Sequence, residues 1–290
     1  MVEEAVSSLN WITWKPWESQ FWLEQNFEVL IFAILLGSVI IEAIRSPRHY
    51  SMGETLSNFG SILLHQIGKL VFQTPLIALY IYLFRNFSLL KFEWTVADFF
   101  LALLLNDFVY YWHHRLMHQT SLLWTVHVVH HQPEHFNLSM GTRLSFFNKA
   151  LTYWFYLPLA IVGVPPLLML SAGWTNGLYQ AYSHLGSRIG NSWVELLFVT
   201  PRTHAFHHAK DLKWRDVHYG GMLTVWDRMF GTWKSPEGDL AAFGVEGSLG
   251  REDVVRNPLK ACLAPWRWLI RGLKRHGTRA LFSSPARLEP

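Results

Sequence analysis

Cysteine is almost missing from this sequence of 290 residues, which contains Cys262 and no other. Disulfides, cysteine-ligated iron–sulfur clusters and four-cysteine zinc sites all need several sulfur atoms, so this chain cannot form any of them internally. Any metal must therefore be held mainly by nitrogen or oxygen.

Charge is also scarce, because only 16% of the residues are charged and the formal net charge is +4. This small, scattered excess is unlike the basic patch of a nucleic-acid-binding protein, so we expect no nucleic-acid partner. The sequence also lacks a glycine fingerprint for dinucleotides and any appended flavin or haem domain. The chain therefore shows no site of its own for these electron-carrying cofactors.

Apolar and aromatic residues are abundant, with 50% hydrophobic residues, 15 Trp and 20 Phe. Tryptophan prefers the boundary between lipid and water, and long apolar runs of about 20 residues suit membrane helices. We therefore predict an integral membrane protein. With no internal repeats or flexible linkers, a single domain over 1–290 is the simplest organisation.

The predicted fold is all-α and polytopic, with about four to five hydrophobic helices and a His-rich helical cap. We expect an interfacial segment at 1–26, membrane helices with the first two histidine groups at 27–185, and a cap with the third group at 186–290. The apolar runs are 27–44, 70–84, 96–112 and a proline-broken hairpin at 150–185. Few basic residues lie in the segments predicted on the other side of the membrane from the histidines. Because basic residues are enriched on the cytoplasmic side, we predict that the histidines lie on that side.

Three groups of histidines repeat a spacing of three and four residues, which places side chains on one helix face. They are His114 and His118; His127, His130 and His131; and His204, His207 and His208. Each group can aim its imidazoles at one point, so three faces can surround a metal centre. One ion rarely takes more than about six ligands, so eight histidines favour two ions.

Several neighbouring polar residues are candidates for supporting these ligands. Asp107 and Tyr111 share a helix stripe with His114, and a carboxylate there can orient an imidazole or pair with a base. Glu134 and Asn137 either hold imidazoles or cap the loop, and His135 is a further supporting candidate. His184 ends the last hydrophobic helix on the same side and is a candidate ninth ligand.

The order of these groups resembles the three histidine boxes of the membrane fatty acid hydroxylase and sterol desaturase superfamily. The similarity lies in DFVYYWHHRLMH (107–118), LWTVHVVHHQPEHFNLS (123–139), TPRTHAFHHAKD (200–211) and YGGMLTVWDRMFGTW (219–233). HHQPEHFNLS and FYLPLA (155–160) are most similar to the branch that includes alkylglycerol monooxygenase. The resemblance implies that the eight box histidines bind a dinuclear non-haem iron centre. It also implies that His184 matches a further histidine between boxes two and three.

Two departures from the family pattern concern the substrate. His218 stands where relatives commonly have Asn before Tyr-Gly-Gly, and TRLSFFNKAL at 142–151 differs from the usual Ala-Leu-Arg-Gln version. We place His218 among the supporting residues. The identity of the lipid is not carried over from the family.

The predicted activity is O2-dependent hydroxylation or desaturation of a lipid C–H bond. Iron held by imidazoles can cycle between ferrous and ferric states, which zinc cannot do. A separate reductase or a reduced pterin is expected to supply electrons, and the oligomeric state is left open. The alternatives are a zinc-dependent membrane lipid hydrolase, a membrane metal transporter and a bis-histidine haem protein.

Overall fold

The structure is a computed structural model that describes residues 33–240 and 242–287. It divides into two compact units, 1–45 and 46–290. In the described residues the chain is helical, and β pairing is limited to two isolated bridges, Phe198 with Leu223 and Ala209 with Phe243. The all-α prediction is confirmed.

The described chain contains long helices joined by short helical turns. The α-helices are α1 (33–45), α2 (Met52–Gly68), α3 (Thr74–Phe87), α4 (Val96–Gln119), α5 (Ser121–His131), α6 (Asn148–Thr152), α7 (Leu157–Val162), α8 (Pro166–Ser183), α9 (Pro201–His207), α10 (Val225–Met229), α11 (Glu252–Val255), α12 (Pro258–His276) and α13 (Arg279–Phe282). Short 3-10 turns are Pro47–His49, Leu138–Thr142, Tyr153–Tyr156, Val194–Leu196, Leu212–Trp214, Gly247–Leu249 and Pro285–Arg287.

Helices α2 and α3 form one continuous helix through a π-helical turn at Lys69–Gln73. Pro75 follows this turn, and a proline cannot donate to the carbonyl four residues earlier and collides with it. A wider turn avoids that collision. Among the described residues, Met52–Phe87 is the one helix that is long and apolar enough to cross a membrane.

Helix α4 carries the first histidine pair beyond its apolar part, as predicted. Its start is fixed by a capping box, in which the Thr95 hydroxyl accepts from the Asp98 amide and the Asp98 carboxylate accepts from the Thr95 amide. With no proline or glycine before Gln119, the helix continues through His114 and His118.

Helices α7 and α8 lie within the region predicted as a hairpin, and α7 ends at Gly163 before α8 begins at Pro166. Gly163 has a φ of +111°, and a side chain there would overlap the carbonyl oxygen of Leu90. The segment before the hairpin is more broken than expected, because α6 and a 3-10 turn precede Pro158. Tyr80, Ala102, Ala160 and Ala172 lie in the core that joins α3, α4, α7 and α8.

Some expectations fall outside the described residues. The interfacial segment at 1–26 is one of them, and the apolar run at 27–44 is described only from residue 33. Its described part is helical.

Candidate metal centre

Nine histidines gather into two adjoining clusters, and they are the nine that the sequence nominated as ligands. The first cluster is His114, His118, His127, His131 and His207; the second cluster is His130, His184, His204 and His208. In each cluster one imidazole nitrogen per residue lies within 4.8 Å of every other. The clusters meet where the His131 ring stacks on the His208 ring, with centroids 4.2 Å apart.

The second and third histidine boxes each divide between the two clusters, which differs from the expectation that each box aims at one point. Box two sends His127 and His131 to the first cluster, whereas box three sends His204 and His208 to the second. The remaining histidine of each box joins the other cluster. Adjacent residues on a helix point about 100° apart, so one helix can serve two neighbouring sites.

Backbone carbonyls orient four of the imidazoles through their Nδ1 atoms. The Nδ1 of His114 lies 2.9 Å from the oxygen of Tyr219, and that of His207 lies 2.8 Å from the oxygen of Val217. In the second cluster, His130 contacts the Arg143 oxygen at 3.3 Å and His184 contacts the Gln180 oxygen at 2.6 Å. A carbonyl only accepts, so each Nδ1 carries the hydrogen.

The Nε2 atoms then meet as lone pairs, because a neutral imidazole has one N–H. His130 and His184 both use Nδ1 as donor, yet their Nε2 atoms lie 3.0 Å apart. The Nε2 atoms of His114 and His127 are also 3.0 Å apart. Imidazole nitrogens that share one metal ion would each lie about 2 Å from it and so about 3 to 3.5 Å from one another. The donor set therefore fits a pair of cations.

The cluster imidazoles are neutral at pH 7. Burial lowers the pKa of His207 to about 3 and that of His184 to about 4. Burial and neighbouring imidazoles hold the pKa of His127, His131 and His208 well below the ordinary value of 6.5. Neutral imidazole is the form that binds a metal ion.

Glu195 fixes the start of α9, the helix of box three, and sequence reasoning missed it. The Thr200 hydroxyl donates to the buried Glu195 carboxylate at 2.8 Å and also caps the helix by accepting from the Thr203 amide. Arg202 donates its Nε to the same carboxylate at 2.9 Å. In the sequence, Thr200-Pro201 followed by Thr203 is a helix-start signal. It predicts the start of α9 but does not identify Glu195 as the residue that fixes it.

Arg143 ties box two to the rest of the fold and was also missed. Its fully buried guanidinium donates to the Val129 carbonyl at 2.7 Å and to the Gln132 side chain at 2.9 Å. It also donates to the side chains of Ser57 and Asn58 on α2. The backbone carbonyl of Arg143 receives the His130 bond, so this residue links α2, α5 and the second cluster.

Asp107 and Tyr111 contact other groups than the imidazoles we expected. The buried Asp107 carboxylate accepts from the Met222 amide at 2.8 Å and the Trp226 indole at 2.9 Å. It lies seven residues before His114, about 10 Å along the helix axis, which is too far to reach that ring. The Tyr111 hydroxyl contacts the Thr232 hydroxyl at 2.9 Å.

Asp227 supports the candidate ligand His114 through one intervening residue, Tyr219. Its buried carboxylate accepts from the Tyr219 amide at 2.7 Å, the Gly220 amide at 2.9 Å and the Thr232 hydroxyl at 2.7 Å. The Tyr219 carbonyl orients His114, so Asp227 positions His114 indirectly by fixing the backbone of Tyr219. The WDRMFGTW segment thus fixes the first cluster against α4.

Glu134, His135 and Asn137 lie outside both clusters. Glu54 of α2 accepts from the backbone amides of Glu134 and His135 and contacts the His135 Nδ1 at 3.0 Å. Asn137 caps the turn that follows, because its Oδ1 accepts from the Ser139 amide at 3.0 Å. This arrangement matches the loop-capping alternative for Asn137, and the Glu134 side chain is exposed.

His218 is buried beside the first cluster without joining it. Its Nε2 contacts the Lys234 carbonyl at 2.5 Å, and the carbonyl of the preceding Val217 receives the His207 bond. Its φ of +58° is left-handed, a region in which Asn and His are enriched among non-glycine residues. That backbone conformation is compatible with His at this position and with the Asn that the resemblance leads us to expect there.

A pocket with charged side chains in its lining leads from the surface to both clusters. Four ligand candidates line it: His118, His131, His207 and His208. Trp124 forms another wall, and Lys210, Asp211, Arg215, Asp216 and Glu246 add charged groups. The clusters are therefore reachable from a polar side of the molecule.

Residues 99–232, which include all nine cluster histidines, match the model of the fatty acid hydroxylase family. The chain belongs to this family. The alkylglycerol monooxygenase of Danio rerio is 32% identical over 234 residues, which are 80% of this chain and 52% of that protein. The ornithine lipid hydroxylase of Rhizobium tropici is 30% identical over 149 residues, covering 50% of this chain and 44% of its own. A Δ7-sterol 5(6)-desaturase of Gibberella zeae is 30% identical over 149 residues, covering 48% and 39%.

Fatty acid hydroxylase family membership confirms the resemblance read from the histidine boxes and the prediction of an enzyme family with a His-rich metal cluster. The chain spans about half the length of the curated relatives it matches most fully. No solved structure matches it.

Proposed function

We propose that this protein is a membrane-bound, O2-dependent di-iron oxidoreductase that hydroxylates a C–H bond of a lipid. The observation that carries the proposal is the convergence of Nε2 lone pairs in two clusters of five and four neutral imidazoles. Lone pairs that face each other at 3.0 Å repel unless a cation lies between them.

Iron is the proposed metal because imidazole ligands support both of its oxidation states. When bound, a pair of iron ions supplies the reduction of O2 that C–H hydroxylation needs. The chain itself holds the ligands in fixed orientations through the carbonyls of Tyr219, Val217, Arg143 and Gln180. Burial keeps these imidazoles neutral and excludes most water.

A lipid is the proposed substrate class because the helices next to the clusters expose large apolar side chains. Leu63 and Leu70 of the α2–α3 helix are exposed, as are Val96 and Phe100 of α4. Such surfaces suit contact with acyl chains, and they support the proposal of several membrane helices with the clusters at one end. The relatives' names refer to alkylglycerols, ornithine lipids and sterols.

Electrons are proposed to come from a separate donor at the cytoplasmic side. His118 and His131 line the pocket beside Trp124 together with charged side chains, so a water-soluble reductant can approach the candidate ligands through it. A reductase or a small reduced molecule such as a pterin both fit this requirement.

The alternatives suit the geometry less well. Catalytic zinc usually has three protein ligands and an open position, whereas the clusters offer five and four. The two clusters leave no space for a haem between them, because the His131 and His208 rings stack with their centroids 4.2 Å apart. A transporter needs ligands along a path through the spans, but these histidines form one compact centre.

The test combines metal analysis with lipid mass spectrometry. Protein purified under anaerobic, reducing conditions should contain about two irons per chain, and cells expressing it should show lipids that gain one oxygen. The His207→Ala variant should lose the lipid product, whereas the exposed His276→Ala control should retain it. Stoichiometric zinc, or identical lipid profiles for active and variant proteins, would overturn the proposal.

A further inference from the structure

Helix α12 has an exposed face that is apolar on one side and basic on the other. Leu259, Leu263 and Ile270 are 58%, 45% and 50% exposed, and they lie within about 40° of arc on the helix. The opposite face, which includes Ala261, Cys262, Trp268 and Leu269, is buried against the protein. The protein core is therefore packed by the buried face of α12, and the exposed apolar stripe takes no part in that packing.

Basic side chains form the neighbouring stripe of α12. Arg267 and Lys274 come next around the helix, followed by Arg271 and Arg275, and all four are exposed. The 19 residues of α12 contain no Asp or Glu. Within the described part of the chain, Arg267, Lys274 and Arg275 form no ion pair with an acidic side chain.

The apolar stripe of α12 continues the exposed apolar face of α2. Gly60 of α2 packs against Pro258 at the start of α12, since a Cβ on Gly60 would lie 2.8 Å from the Pro258 ring. Leu56 and Leu63, on the strip of α2 next to Gly60, are exposed. The start of α12 therefore lies against the first half of the candidate membrane helix, and the two apolar surfaces adjoin there.

We propose that α12 lies in the membrane interface and binds anionic lipid headgroups, with Leu259, Leu263 and Ile270 in the acyl boundary and Arg267 and Lys274 on the phosphates. This pattern of an apolar stripe beside a basic one is typical of helices that lie in the plane of an anionic membrane surface. The inference rests on the proposed membrane location, and it is independent of the reaction.

The first test measures the position of α12 relative to the bilayer. In the Cys262→Ala background, Leu259→Cys or Ile270→Cys carries a fluorophore on the full-length protein in phosphatidylglycerol nanodiscs. We expect quenching by nitroxide-labelled lipid and several-fold weaker quenching by iodide than for a probe at the exposed Asp239→Cys position. Strong iodide quenching would overturn the inference, as would protection from both quenchers, which would indicate a protein partner.

A probe at Leu70→Cys in the candidate span separates two kinds of failure. If lipid nitroxide quenches this probe but not those on α12, the inference fails while the membrane location stands. If it quenches neither, the membrane location itself fails.

The second test concerns charge. The probe at Ile270→Cys should be quenched more by lipid nitroxide in phosphatidylglycerol than in phosphatidylcholine, and the double variant Arg267→Glu, Lys274→Glu should abolish that difference. The Lys91→Glu control, on an exposed loop outside α12, should retain it. Equal quenching in both lipids for the unsubstituted helix would overturn the role of the basic stripe.

Discussion

The effect of removing one imidazole on metal retention should differ between the two clusters. The first cluster has five and the second has four, so the loss of one ligand leaves four or three. His184 is the second-cluster member that comes from outside the histidine boxes, and its Nε2 contacts those of both His130 and His204 at 3.0 Å. Removing it leaves a gap between the two boxes.

We therefore expect His184→Ala to release one of the two proposed metal ions more readily than His118→Ala. The difference should exceed the roughly 10-fold effect of losing a supporting hydrogen bond to a ligand. Titration of each purified variant with a chelator, followed by metal analysis, measures the release. Equal retention in the two variants would contradict a four-ligand second site.

Asp227 is the residue whose carboxylate satisfies three buried donors near the first cluster. Asp227→Ala leaves these donors unpaired, and each costs about 1–3 kcal/mol when buried without a partner. We expect a large fall in the unfolding midpoint and weaker metal binding in the first cluster. Asp239→Ala, on an exposed loop, is the matched control and should leave both measurements unchanged.

The sequence predicted the extent of the helices and the faces that carry histidines better than it predicted which side chains contact one another. The three-and-four spacing of histidines indicates a shared face, and the absence of proline and glycine after residue 96 predicts a helix that runs through His118. Whether His130 and His131 face the same ion depends on where α8 and α9 pack, which spacing does not encode. The Asp107 carboxylate likewise accepts a hydrogen bond from the amide of Met222, which is 115 positions away in the sequence.

Glycines in the long helices show how closely these elements pack. A Cβ on Gly68, where α2 enters the π-helical turn, would overlap the backbone carbonyl oxygen of Phe146, whereas a Cβ on Gly177 in α8 would meet no atom within 4 Å. Gly68→Ala must therefore push α2 away from the segment beside box two.

The two alanine variants should have opposite effects on stability. Gly177→Ala should stabilise the protein by about 0.5–1 kcal/mol through helix propensity, and Gly68→Ala should destabilise it by at least about 1 kcal/mol. Thermal unfolding of both variants in the same detergent measures the difference. A stabilising Gly68→Ala would show that the close approach of α2 to Phe146 is not maintained.

At the scale of the whole molecule, two buried imidazole clusters make stability depend on pH. The pKa of His184 is about 4 and that of His207 about 3 in the folded protein, against 6.5 in an unfolded chain, because burial disfavours the charged ring. Between those values the unfolded state binds more protons than the folded state. Stability is therefore fully present above about pH 7.5 and falls as the pH drops through 6.5 towards the pKa values of the folded protein.

Each such histidine contributes a slope of about 1.4 kcal/mol per pH unit, so several of them together should make the metal-free protein sharply acid-labile. The unfolding temperature of chelator-treated protein should be nearly constant between about pH 8.5 and 7.5, begin to fall by about pH 6.5 and drop steeply by about pH 5.5. Replacing the buried ring in His184→Ala should make the slope shallower, whereas the exposed His276→Ala should leave it unchanged. A flat profile across this range would mean that the rings protonate in the folded state, which is incompatible with two clusters of neutral imidazoles.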